Sequence, residues 1–102
     1  MTLLAVKLGL KKLGGDLRMA RRRRRVKEEL MAERIGVTRA TLRRMEQGMP
    51  TVSMGTYAAA VFVLSPERFK EFVAILSSEN DALGQSILDL NLPKRIRSGN
   101  KT

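Results

Sequence analysis

The sequence predicts an all-α protein of five helices followed by a short C-terminal tail. Three observations carry that expectation. Apolar residues recur at three- and four-residue steps along most of the chain. Helix start and stop residues punctuate those stretches at short intervals. No run alternates clearly enough between apolar and polar residues to require a strand.

The first helix is expected over residues 6–24, where Leu8, Leu10, Leu13, Leu17 and Ala20 keep helical spacing, with Leu17, Ala20 and Arg21 forming its inward edge. Gly14 and Gly15 each cost about 1 kcal/mol inside a helix relative to Ala. The spacing therefore allows a break there, with Asp16 opening the better helix. Residues 27–35 follow as a second helix: Glu28 and Glu29 suit the positive end of the dipole, Leu30, Met31 and Ile35 are apolar, and Gly36 stops the element. Thr38 is an N-cap residue for a third helix running to about Gln47, which Gly48 and Pro50 terminate. Ser53 can cap a fourth helix, whose run Tyr57, Ala58, Val61, Phe62 and Leu64 is central to the expected core. Pro66 is tolerated at the first position of a fifth helix with the apolar stripe Phe69, Phe72, Val73, Ile75 and Leu76. The composition turns polar after Ser77, and Met19, Met31, Met45 and Met54 are expected as core filler.

A chain of 102 residues provides one compact domain with a modest core. The chain holds neither Cys nor His, which removes disulfides, thiolate and imidazole chemistry and nearly all transition-metal sites, so no catalytic residue, metal or cofactor is expected. The acids Glu28, Glu29 and Glu33 read as helix-start residues and surface partners of Arg34 rather than as a metal or acid/base cluster. Only four aromatic residues and no Trp disfavour a base-stacking RNA binder. No stretch approaches the roughly 18 consecutive apolar residues of a spanning helix. Residues 3–10 lack a preceding basic region and a following cleavage site, so a cytoplasmic location is expected.

The net charge of +10 is unevenly placed: residues 1–50 hold 14 basic residues against 5 acidic, and residues 51–102 hold 6 against 5. Such an asymmetry is the footprint of a surface that meets phosphates, because each basic contact releases counterions from nucleic acid. Residues 28–47 explain how that surface is organised. Ala32 is small where two helices would cross steeply, Gly36 stands where a tight turn favours positive φ, and Met31, Ile35, Val37, Leu42 and Met45 are apolar at inward positions. This is a helix-turn-helix pattern. Winding the third helix at about 100° per residue puts Arg39, Ala40, Arg43, Arg44 and Gln47 on one face, and Thr41, Leu42, Met45 and Glu46 on the other. One face packs and the other reads. Arg suits a reading face because its planar fork donates two hydrogen bonds to guanine O6 and N7 in the major groove. The candidate DNA-contacting residues are Lys27, Thr38, Arg39, Ala40, Thr41, Arg43, Arg44 and Gln47.

The pattern resembles the XRE-type helix-turn-helix family of phage repressors and Cro proteins over roughly residues 13–76. The resemblance implies a five-helix lambda-repressor-like domain at residues 13–78, an N-terminal extension at residues 1–12, and a dimerisation or partner segment with a basic tail at residues 79–102. Residues 17–21, 31–39, 52–57 and Leu92-Pro93-Lys94-Arg95-Ile96-Arg97 look like a bacterial subgroup commonly encoded beside HipA-like kinases. That subgroup implies a HipB-like antitoxin that binds an operator in double-stranded DNA as a homodimer, represses its own operon and pairs with a HipA-like kinase toxin. A stand-alone regulator, and a module that binds another protein through the same fold, are the alternatives. The resemblance also implies that Arg21 pairs with Glu46 to hold the first helix to the third, and that Arg23 and Arg24 lie near the DNA backbone. Taken alone, the run Arg21 to Arg25 reads as a set of solvated cations, the usual fate of a charge run, and residues 93–97 are either a basic tail or a docking strip. Phage repressors usually begin the second helix with Gln, which bonds a phosphate. Glu28 stands there in this chain, so that contact is not carried over.

Overall fold

A computed structural model of the chain describes residues 2–91 and places six helices and no strand among them: α1 (Leu4–Arg23), α2 (Glu28–Ile35), α3 (Arg39–Glu46), α4 (Met54–Leu64), α5 (Pro66–Val73) and α6 (Ala82–Asn91). The all-α expectation agrees with this architecture. The count of five does not, because the polar stretch after Ser77 forms α6 rather than a tail. The chain divides into one compact unit ending at Phe72 and a second beginning at Val73, and α6 lies in the second. Asp81 starts α6 by accepting a 2.9 Å hydrogen bond from the Gly84 N–H. Residues 93–97 lie outside the described residues.

The first unit is built on α1, which packs on α3 and α4, while α2 packs on the same two helices. Its core is Leu17, Met31, Ala32, Leu42, Met45, Val52, Tyr57, Ala60 and Leu64. Two of the methionines expected inside are there, Met31 and Met45, whereas Met19 and Met54 are exposed. Met19 falls on the side of α1 away from Leu17 and Arg21, and Met54 is the first residue of α4, so neither position can reach the interior. Phe62 is also exposed and meets Phe69 edge to face, with ring centroids 5.3 Å apart. Ile75 and Leu76 lie beyond the end of α5 rather than on its stripe.

α1 runs without interruption through Gly14 and Gly15, and also through residues 12 and 13. The reason is tertiary. A Cβ at Gly14 would stand 2.5 Å from the Met45 carbonyl oxygen and 2.7 Å from the Gly48 nitrogen, so the bare backbone of α1 is what lets it lie against the end of α3. Gly48 answers from the other side. It takes φ 77°, and a Cβ there would collide with the backbone of Leu10 and Lys11.

Candidate nucleic-acid interface

The turn between α2 and α3 is set by local chemistry. Gly36 ends α2 in the left-handed region at φ 75°, and the Val37 N–H then donates to the Ala32 carbonyl at 2.9 Å. Ala32 itself is buried, which leaves room for α3 to cross. Thr38 caps α3 by accepting from the Thr41 N–H at 3.1 Å, and the chain re-enters a helix after only three residues. The preceding loop holds the only positive-φ residue among the described residues that is not Gly, Arg25 at 56°.

α3 buries Leu42, Met45 and Glu46 and leaves Arg39, Ala40, Arg43, Arg44 and Gln47 exposed, with Thr41 half-buried at the edge. Opposite the buried side, Ala40, Arg44 and Gln47 are central, Arg43 is next to them, and Arg39 flanks. Lys27 and Thr38 are exposed at the starts of α2 and α3.

Glu28 does not pair with Arg34. It accepts hydrogen bonds from Arg43, at 3.2 and 3.0 Å, and from Arg39 at 3.4 Å, while Glu29 lies 3.7 Å from Arg39. The bonds from Arg43, then its charge and the bond from Arg39, hold the Glu28 carboxyl below its ordinary pKa. The first residue of α2 thus orients two guanidiniums of α3. Arg44 is different: its Nη2 donates to the Thr41 hydroxyl at 3.3 Å, and no acid pairs with it among the described residues.

Arg21 and Glu46 come together inside the molecule. Nε and Nη2 of Arg21 donate to Glu46 at 2.7 and 3.1 Å, and Nη1 donates to the Val26 carbonyl at 2.9 Å. Both side chains are buried, at 7% and 4% exposure, so the pair ties α1 to α3 within a low-dielectric interior. The bonds to Glu46 push the Arg21 pKa above its usual value.

Arg23 and Arg24 are not brought to α3. They line a separate cleft with Val61, Leu64, Ser65 and Arg68, beside the end of α4. The α1 residues beside α3 are others. Arg18 lines a cleft with Glu28, Arg43 and Gln47, and Lys7 and Lys11 line one with Gln47 and Met49. The unbroken run of α1 through Gly14 sets Arg18 in register with Lys7 and Lys11, which a helix broken at Gly14 does not.

A short helix, a three-residue turn and a second helix whose outer face carries three arginines define the helix-turn-helix class of DNA-binding unit. Comparison with protein families agrees. Residues 12–64, just over half of the chain, match the helix-turn-helix domain family, and the chain belongs to that family, of the XRE/Cro-like kind. Comparisons with curated proteins and with solved structures returned no match. No helix among the described residues is long and apolar enough to cross a membrane.

Proposed function

We propose that this protein is a sequence-specific transcriptional repressor that lays α3 in the major groove of an operator. The observation that carries the reading is the division of α3: Leu42, Met45 and Glu46 are locked inside, and Ala40, Arg43, Arg44 and Gln47 face outward beside Arg39. Arg39 and Arg44 supply the guanine contacts, with Arg43 beside them, and Thr38, Thr41 and Lys27 supply contacts to the DNA backbone. Repression then follows from occupancy of a promoter-proximal site. One short helix covers only a few base pairs, so the functional form is a homodimer on a two-fold operator. Support for an interface comes from Val73, Ile75, Leu76, Leu83 and Leu90, all exposed in the second unit.

The finer reading is a HipB-like antitoxin that represses its own operon with a HipA-like kinase. It rests on the likeness of residues 17–21, 31–39, 52–57 and 92–97 to that subgroup. Co-purification with a kinase encoded in the same operon is the expected outcome, and a partnerless operon returns the protein to the stand-alone regulators.

Selection of bound duplexes from a random pool tests the main reading. Enrichment of one two-fold symmetric motif is expected, with a sedimenting species of twice the monomer mass. A pool that stays unenriched, bound by a monomer, contradicts it and leaves a protein-interaction module.

A further inference from the structure

The α1 helix begins at Leu4, two turns before the stretch that matches the helix-turn-helix family at residue 12. Those two turns carry Lys7 and Lys11, and the winding of the helix sets them in register with two cations further on. At about 100° per residue, Lys7, Lys11, Arg18 and Arg22 fall within about 60° of one another. All four side chains are exposed, and no ion pair among the described residues involves any of them. Lys12 shows the contrast: it lies off this line and is bonded to Asp16 at 2.7 Å. Three of the four, Lys7, Lys11 and Arg18, line clefts beside the outer end of α3. Gln47, on the reading face, shares one cleft with Lys7 and Lys11 and another with Arg18 and Arg43.

The helix dipole accounts for Arg22, in the last turn of α1, but not for Lys7. Lys7 stands in the first turn of α1, where the helix dipole disfavours a cation and no acid is present. From Lys7 to Arg22 the helix rises about 22 Å, long enough for the line to meet several successive phosphates of one strand. We propose that Lys7, Lys11, Arg18 and Arg22 form a phosphate-tracking ridge that extends the α3 interface along the sugar-phosphate backbone of flanking duplex, independently of its sequence. The inference rests on the DNA-binding reading above, but not on which bases α3 recognises. Leu4, Leu8, Met49 and Pro50 floor the cleft between Lys7 and Gln47, so an acidic protein surface is the competing occupant.

The test is a set of titrations of the full-length protein with a long duplex of random sequence across several salt concentrations. Removing one cation that neutralises a phosphate lowers the slope of log affinity against log salt by about 0.9. The double variant Lys7→Gln/Lys11→Gln is expected to lower the slope by about 2, and Lys12→Gln to leave it unchanged. Both substitutions are at exposed sites and keep good helix formers, and matched thermal unfolding confirms that the fold is intact. An unchanged slope in the double variant overturns the ridge and leaves the cleft to an acidic protein, whether or not α3 discriminates between sequences. Equal decreases for the double variant and Lys12→Gln also overturn it, since net charge alone would then be acting. A wild-type protein that binds no duplex removes both the ridge and the reading of α3. A slope that falls as expected without preference for any sequence keeps the ridge and removes only the operator reading.

Discussion

Glu28, the first residue of α2, holds Arg43 and Arg39 of α3. Its pKa is lowered, so the orienting ion pair is complete above the ordinary carboxyl pKa and disappears as pH falls through the lowered value. A carbon-detected titration of this carboxyl is expected to give a midpoint below the usual glutamate value, and Arg43→Ala is expected to move it back up. A midpoint that does not respond to Arg43→Ala means that the pair does not form in solution. The buried Arg21 and Glu46 pair behaves in the opposite way, as a matter of stability rather than orientation. Glu46→Ala leaves a buried guanidinium with only the Val26 carbonyl, and breaking such a pair costs about 3 to 5 kcal/mol. Urea unfolding is expected to show a loss of that size for Glu46→Ala, most of it recovered in Arg21→Met/Glu46→Leu, where no unpaired charge remains. A single-variant loss below about 1 kcal/mol is what an exposed pair gives, and would show that α1 and α3 are not held this way.

Two adjacent glycines in α1 separate an element's own preference from what its neighbour demands. Nothing lies within 4 Å of a Cβ built at Gly15, whereas one at Gly14 meets the backbone of Met45, Glu46 and Gly48 at 2.5 to 2.9 Å. Gly15→Ala is therefore expected to raise stability by about 1 kcal/mol. Gly14→Ala is expected to lower it by about 1 to 3 kcal/mol, because backbone atoms cannot move aside. Equal effects at the two positions, read from urea midpoints, would mean that α1 does not lie against the end of α3. The same pair marks where sequence reading stops. Boundaries set by local chemistry are legible in the sequence: Thr38 and Ser53 cap their helices by accepting an N–H three residues on, Gly36 ends α2, and Pro66 opens α5. Gly14 looks like a helix breaker in sequence because its reason lies more than thirty residues away. The Asp81 start of α6 is a local signal, but it is embedded in a polar stretch that resembles a loop.

At the scale of the whole molecule, the charge asymmetry of the sequence becomes a geometric one. The outward face of α3 is legible because helical winding alone separates Arg43 and Arg44 from Leu42 and Met45. What lies beside that face is not: Glu28 reaches Arg39 and Arg43 across 11 and 15 residues, and Arg18 joins them only through the packing of α1. Arg23 and Arg24, adjacent in sequence to the motif, turn instead toward the end of α4. The proposed division of labour gives α3 the sequence and α1 the backbone. It is tested most directly by the ratio of affinities for a selected operator duplex and its scrambled counterpart, measured at one salt concentration for the wild type, Arg39→Ala, Arg44→Ala and Lys11→Gln. Removing a bidentate base contact costs about 1 to 3 kcal/mol of discrimination, so the ratio is expected to fall steeply for Arg44→Ala and also for Arg39→Ala, while Lys11→Gln weakens both duplexes alike and keeps the ratio. A ratio that stays at the wild-type value in both arginine variants would contradict the assignment of α3 as the reading helix.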